Sequence, residues 1–113
     1  MPHALIYLNA DVSEVIQKEI VQEAMKILSE VIGKPIGYCA AQVVKSIGGF
    51  AGSILPSAFV DVKSIGGLKN KQEALSHRFC TMLQTKANIE GGHIYLNFTE
   101  MTGSNWGYDH STF

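Results

Sequence analysis

Apolar residues first form an almost unbroken run near the amino terminus, within residues 2–9. A short apolar run bounded by polar residues is typical of a buried strand. After a polar turn, apolar residues recur every three or four positions over residues 16–31, which predicts an amphipathic helix. Asp11 or Ser13 can cap this helix, and Gly33 followed by Pro35 ends it in the expected order.

The same succession of patterns then repeats in the second half of the chain. The pattern predicts strands at residues 38–45, 58–63 and 94–98, a helix at 70–86, a glycine-rich loop at 46–57 and an aromatic tail at 103–113. The predicted order is therefore β-α-β-β-α-β, which is one strand-helix-strand unit used twice. A helix between two strands implies a parallel pair in each half, with both helices on one face of the sheet.

This order defines an α/β (α+β) fold of the split-βαβ type, with a four-stranded mixed sheet in a single domain spanning residues 1–113. The first strand has apolar residues at both its odd-numbered and its even-numbered positions, so both of its faces favour burial. Two helices on one side leave the other face open, and the chain has no further layer to place there. Packing of that face against further copies of the chain is the simplest way to cover it.

Composition and charge exclude several classes of function. The chain is 46% hydrophobic and 17% charged, and its net charge of −1 argues against a nucleic-acid partner. No stretch approaches the roughly 20 apolar residues needed to span a bilayer, and the amino terminus lacks the basic and apolar regions of a signal peptide. A cytoplasmic protein without a membrane partner is expected, with export by a non-classical route left open.

The cysteines and histidines give no sign of a metal site. Cys39 and Cys80 lie far apart in the sequence and are expected to be buried free thiols. The four histidines show no metal-ligand spacing, so no zinc site is expected.

Pro2 is the first candidate for chemistry, because removal of Met1 would make it an amino-terminal secondary amine. An apolar pocket or a nearby cation would lower the pKa of such an amine and leave it a neutral base near physiological pH. Read alone, a proline at the second position can also be incidental. Lys34, at the end of the first helix, can equally be a cation favoured by the helix dipole.

Two further groups of residues are candidates for binding. Tyr95 and Asn97 lie two apart on the fourth strand and should face the same side of it, although they can simply form a polar strand face. Three aromatic residues of the tail, Trp106, Tyr108 and Phe113, can form a hydrophobic plug or the wall of a site.

Ordered along the whole chain, several short segments resemble the macrophage migration inhibitory factor (MIF) family of the tautomerase superfamily. The matching segments are Met1-Pro2, Leu8-Asn9, Gly33-Lys34-Pro35 with Tyr38, Phe50 with Gly52-Ser53, Ser64-Ile65-Gly66-Gly67, Ile94-Tyr95 with Asn97-Phe98, Asn105-Trp106-Gly107-Tyr108 and Ser111-Thr112-Phe113. Each segment alone is unspecific, whereas all of them in order over the full length form a specific signature.

The resemblance implies a homotrimer with each active site between neighbouring subunits. It implies that Pro2 is the catalytic base, and that Lys34 and the backbone of Ile65 hold the carboxylate and oxygen of the substrate. Tyr95 and Asn97 would reach in from the neighbouring subunit. The aromatic wall would be formed by Tyr38, Trp106, Tyr108 and Phe113.

The implied activity is keto–enol tautomerisation of a small aromatic 2-oxo acid such as phenylpyruvate, and of dopachrome-type substrates, without a cofactor. A second hypothesis from the resemblance is a signalling ligand that binds a cell-surface receptor. A ferredoxin-like RNA-binding module is a third, which the absence of basic residues flanking the fourth strand argues against.

The sequence also departs from the family pattern at several positions. Ser57-Ala58-Phe59-Val60 replaces a C-x-x-C motif found in some relatives, which argues against a thiol-disulfide activity. His3 replaces the apolar residue common beside the proline, and Asp109-His110 stands where many relatives have Asn-Gly or Asn-Asn.

Overall fold

The computed structural model describes every residue from Met1 to Phe113. Two α-helices and eight strands form the chain, and three short 3₁₀ turns connect them. The helices are α1 (Glu14–Ile32) and α2 (Gln72–Ala87). The strands are β1 (Pro2–Asn9), β2 (Ala40–Lys45), β3 (Gly49–Phe50), β4 (Ser53–Ile54), β5 (Ser57–Ile65), β6 (Ile94–Met101), β7 (Gly107–Tyr108) and β8 (Ser111–Thr112).

The central sheet has four strands in the order β2-β1-β5-β6. β1 pairs in parallel with β2, β5 pairs in parallel with β6, and the two halves meet where β1 and β5 run antiparallel. The predicted β-α-β-β-α-β order and the parallel pair in each half are therefore confirmed.

Buried and more exposed side chains alternate along the first strand of the sheet, so one face of the sheet is covered by the helices and the other face is open. Ala4, Ile6 and Leu8 of β1 are fully buried, and they pack with the apolar faces of both helices in one hydrophobic core. Both helices therefore cover the same face, as predicted. On the opposite face, Tyr7 is 41% exposed and Phe59 beside it is 40% exposed, so large aromatic side chains remain uncovered in the single chain.

The ends of α1 form as the sequence predicts. Ser13 rather than Asp11 is the N-cap, and its hydroxyl accepts a hydrogen bond from the backbone N–H of Ile16 at 3.2 Å. Gly33 adopts a left-handed conformation at the C-cap, with φ of 81°, which glycine adopts without the steric cost of a Cβ. Neither helix combines the length and apolar character that crossing a bilayer requires.

Several predicted boundaries differ from the structure. β2 begins at Ala40 rather than at Tyr38, because a 3₁₀ turn, Ile36–Tyr38, follows Pro35. β5 and β6 extend to Ile65 and Met101, beyond the predicted ends. The loop at 46–57 contains the β3–β4 hairpin, and the tail contains the β7–β8 hairpin.

Candidate active site

Pro2 is buried at the start of β1 and lies opposite Ser64 of β5. The next backbone N–H along β5, that of Ile65, donates to the carbonyl of Met1 at 3.4 Å. This bond depends on Met1. In a chain that begins at Pro2, the N–H of Ile65 is left without its carbonyl partner.

The amino terminus lies in a partly buried, electropositive setting. Burial, and secondly the nearby ammonium of Lys34, lower the pKa of the Met1 terminal amine, while Cys39 opposes the shift. Both leading causes disfavour the protonated form, since each makes an additional positive charge less stable. Burial also raises the pKa of the Cys39 thiol, and the terminal amine acts against that rise.

Lys34 reaches this region through a tight packing of backbone segments. Its carbonyl accepts a hydrogen bond from the Ser29 hydroxyl at 2.6 Å, which fixes the chain just after α1. The side chain of Lys34 passes over Gly67, where a Cβ would lie 3.7 Å from Cε of Lys34 and 2.9 Å from a methyl carbon of Ile32. Gly67 also has φ of +78°, so only a glycine permits this approach without strain.

Tyr38 and Trp106 lie at the same end of the sheet as Pro2. Tyr38 precedes β2 by two residues and is 57% exposed, and β2 pairs with the start of β1 through Ala40 and His3. Trp106 lines an open pocket with His3 and Lys63. His3 is hydrogen-bonded to the side chain of Gln42 on the open face, so it adds a polar group beside Trp106.

Tyr108 and Phe113 belong to the carboxyl-terminal hairpin. Their rings stack with centroids 5.2 Å apart, and the N–H of Phe113 donates to the carbonyl of Trp106 at 3.2 Å. Gly103 leaves room for the end of the chain, since a Cβ there would approach the carbonyl oxygen of Phe113 to 2.9 Å. The hairpin therefore presents its aromatic residues as one unit.

Tyr95 and Asn97 lie away from Pro2 within the same chain. Tyr95 pairs with Phe59 and Asn97 with Asp61, whereas Pro2 pairs with Ser64. The five residue steps of β5 from Phe59 to Ser64 correspond to about 16 Å along the strand. One chain alone therefore brings Pro2, Lys34, Ile65, Tyr38 and the tail to one end of the sheet and leaves Tyr95 and Asn97 apart from them.

Sequence reasoning assigned no part in the site to Cys39, Asn9 or Phe50. Cys39 and Cys80 are free, but both are partly exposed rather than buried, and Cys39 lies near the terminal amine. Asn9 donates to the carbonyls of Gly48 and Leu55, both at 2.8 Å, and thereby ties down the loop that carries the β3–β4 hairpin. Phe50 of that hairpin packs against Tyr95 with ring centroids 4.6 Å apart. Only the tertiary structure reveals these contacts.

Comparison with known proteins identifies the family of the chain. The family model for macrophage migration inhibitory factor (MIF) matches residues 1–113. The chain belongs to the macrophage migration inhibitory factor family.

Individual relatives extend the comparison. The chain is similar to the crystal structure of a macrophage migration inhibitory factor-like protein from Entamoeba histolytica, with 72% identity and a TM-score of 0.98, covering 99% of this chain and 98% of that one. It is 32% identical over 106 residues to a macrophage migration inhibitory factor homolog of Trichuris trichiura, covering 89% of this chain and 90% of the homolog. It is 31% identical to the macrophage migration inhibitory factor of Meriones unguiculatus, covering 100% of this chain and 99% of that protein.

Proposed function

We propose that the chain, once Met1 is removed, is a keto–enol tautomerase for small aromatic 2-oxo acids such as phenylpyruvate and for dopachrome-type substrates. Membership of the family supports isomerase-type chemistry in general. The observation that carries the proposal is the setting of the amino terminus, where burial and the Lys34 ammonium lower the pKa of the Met1 amine. Removal of Met1 would place the Pro2 amine one residue further along in the same region. A phenylpyruvate assay on protein whose amino terminus is confirmed by mass tests this activity directly.

The free amine of Pro2 acts as the general base. In its neutral form it takes a proton from the carbon next to the carbonyl of the substrate, and the electron pair of that C–H bond moves to form an enolate. The resulting ammonium returns the proton to the enolate oxygen, which gives the enol, and the reverse sequence gives the keto acid. An amine with a lowered pKa remains available as a base near neutral pH.

Two groups beside Pro2 are assigned to the substrate. Lys34 neutralises the carboxylate through a charge-assisted hydrogen bond. The N–H of Ile65 donates to an oxygen of the substrate, at the place where the Met1 carbonyl accepts in the unprocessed chain. A donor in this position stabilises the negative charge that develops on the oxygen. The aromatic wall formed by Tyr38, Trp106, Tyr108 and Phe113 contacts the substrate ring.

Replacement of Lys34 by alanine should separate charged substrates from neutral ones. Lys34→Ala should raise KM for phenylpyruvate about tenfold or more, because a hydrogen bond to a charged group is lost, and should change KM for the methyl ester much less. Steady-state kinetics on both compounds measure the difference. Lys18→Ala, which removes an exposed lysine of α1, is the control. Equal losses on acid and ester would remove Lys34 from the substrate site.

The active assembly is proposed to be a homotrimer in which the open sheet faces contact neighbouring subunits. The exposed side chains on that face include Tyr7, Val44, Phe59 and Tyr95, and a contiguous apolar surface of this kind favours association. In such an assembly Tyr95 and Asn97 complete the site of a neighbour. This arrangement accounts for their separation from Pro2 within one chain.

Light scattering at micromolar concentration should give close to three times the chain mass of 12.3 kDa. Phe59→Asp should lower that mass, because it places a charge on the open face where burial without a partner is unfavourable. Lys18→Glu on the outer helix should leave it unchanged. A native mass of one chain for the unaltered protein would contradict the proposed trimer.

A signalling role through a cell-surface receptor stays a prediction. It requires a binding measurement with an identified receptor. It is independent of the tautomerase proposal, since a variant without activity can still be tested for receptor binding.

A further inference from the structure

Ser64 carries the one buried side-chain oxygen or nitrogen that has no hydrogen-bond partner. The residue is fully buried, on the face of β5 that packs against the helices. Buried hydroxyl groups in folded proteins nearly always have a partner, because burial without one loses the hydrogen bonds to water. The other buried serine of this strand, Ser57, satisfies this rule by donating to the carbonyl of Leu55 at 3.0 Å.

The residue opposite Ser64 is Pro2. The Ile65 N–H donates to the Met1 carbonyl, so Met1 and Ile65 form a hydrogen-bonded pair of the antiparallel ladder. Because the two kinds of pair alternate along such a ladder, the next pair, Pro2 and Ser64, is a non-hydrogen-bonded one. Pairs of this type bring the two Cα atoms to about 4.5 Å and place their side chains closer together than the alternative pairs do. Ser64 therefore lies beside Pro2 at the point where the mature chain would begin.

In the chain that retains Met1, the nitrogen of Pro2 belongs to an amide and has neither a hydrogen nor a basic lone pair, so it cannot satisfy Ser64. Removal of Met1 converts it into a secondary amine. We propose that the hydroxyl of Ser64 is the hydrogen-bond partner of this amine and positions the base for catalysis. The hydrogen bond requires only processing, whereas its catalytic meaning rests on the proposed tautomerase function.

A hydrogen bond to Ser64 would change the pKa of the Pro2 amine in a direction that can be derived. The neutral amine has one N–H and one lone pair, and donation of that N–H to Ser64 leaves the lone pair free for the substrate. The protonated amine donates to the same oxygen in a stronger, charge-assisted bond. Ser64 therefore stabilises the protonated form more than the neutral form, and its loss should lower the pKa of Pro2.

The charged and titratable groups around this pair come from three other elements. Lys34 follows α1, and Cys39 precedes β2; both act on the terminal amine of Met1, the residue next to Pro2. Glu100 of β6 pairs with Ser64, and its carboxylate accepts from the N–H of Leu68 at 2.8 Å. These groups are unchanged in a Ser64 variant, so a shift of the Pro2 titration in that variant reports the hydroxyl itself.

The test follows the titration of Pro2 by NMR in processed protein with labelled proline, which needs no substrate. Ser64→Ala should lower the pKa of Pro2 by about 0.5 to 1 unit, as expected for a lost hydrogen bond to the charged form. Ser64→Thr keeps the hydroxyl and should restore most of the shift. Ser57→Ala, the same change at the other end of β5, should leave the titration unchanged. An unchanged Pro2 titration in folded Ser64→Ala, or an equal shift in Ser57→Ala, would overturn the proposal.

Activity provides a second, separable measurement. In Ser64→Ala the rate should reach its plateau at lower pH, and the plateau of kcat should fall about three- to tenfold because the lone pair is less well oriented. A merely structural role would lower the plateau without moving the titration. If the processed, unaltered protein has no tautomerase activity, the proposed function fails, and the NMR titration still decides whether Ser64 contacts the amine.

Discussion

A chain that retains Met1, or carries an amino-terminal tag, should fold normally and lose nearly all tautomerase activity on phenylpyruvate. Two causes act together. The nitrogen of Pro2 is then an amide without basicity, and the Met1 carbonyl occupies the N–H of Ile65 that is assigned to the substrate. Since a positioned base contributes about 10²- to 10⁴-fold, a loss of about three orders of magnitude is expected.

The measurement compares two preparations of identical sequence except for Met1, each verified by intact mass. Melting temperature and native mass should agree between them, which separates loss of the base from loss of the fold. Pro2→Ala in processed protein offers a graded comparison, because it supplies a primary amine without the ring that fixes the direction of the nitrogen. Full activity in protein shown to retain Met1 would refute the proposed mechanism.

The pH dependence of the processed enzyme follows from the same environment. Only the neutral amine accepts a proton, so the rate should rise with pH as the amine of Pro2 loses its proton. Burial and Lys34 both lower the pKa of the Met1 amine. We expect them to act in the same direction on the Pro2 amine of the processed chain, so the midpoint should lie below the usual α-amino value of about 7.7–8.0. In Lys34→Ala one of these causes is removed, and the midpoint should move upward.

The larger elements of the fold were predictable because their signals are local and strong. The apolar run of β1, the spacing of α1 and the Gly33 stop all report on the immediate backbone. The ends of β5 were harder to predict, because Ser57 and Ser64 are residue types common in loops, although both are buried in the strand. Their inclusion depends on pairing with β1, which no local pattern encodes.

The two short hairpins were missed for a related reason. Ala51 and Gly52 have φ of 53° and 83°, and Asp109 and His110 have φ of 45° and 68°. Two successive positive φ values are typical of the tight turns that join hairpin strands, and Asn-Gly is their usual sequence. Ala51 and His110 give no such signal, so the loop and the tail could be predicted only as irregular segments.

The residues of the candidate site differed in how far the sequence alone could predict their place in it. A second-position proline has a clear chemistry but no specificity, and only the resemblance over the whole chain selected it. The closeness of Lys34 to the terminal amine depends on how α1 ends and on the space left by Gly67. Ser64 could not be recognised as a neighbour of Pro2 without the strand register.

The proposed contribution of Tyr95 and Asn97 to a neighbouring site predicts complementation between altered chains. Measured along the strands, Tyr95 lies about 16 Å from the level of Pro2 and its partner Ser64. A site within one chain therefore cannot use both Tyr95 and Pro2 without a large rearrangement. Pro2→Gly replaces the secondary amine by a primary amine without the ring but keeps Tyr95, and Tyr95→Ala lacks the aromatic ring but keeps Pro2. Each altered chain alone should have strongly reduced activity, whereas a trimer containing both has a site that joins an intact Pro2 to an intact Tyr95.

The fraction of active sites that is recovered distinguishes a site shared between two subunits from a site formed within one chain. If the chains are dissociated and reassembled in equal amounts, about a quarter of the sites in a ring of head-to-tail contacts combine both intact residues. Mixing a Pro2→Gly/Tyr95→Ala double variant with the unaltered protein should also leave about a quarter of the sites intact, by the same counting. Sites formed within one chain would instead give no recovery in the first mixture and about half in the second. Native mass spectrometry must show that mixed trimers form, and no recovery in such trimers would place Tyr95 outside the site of the neighbour.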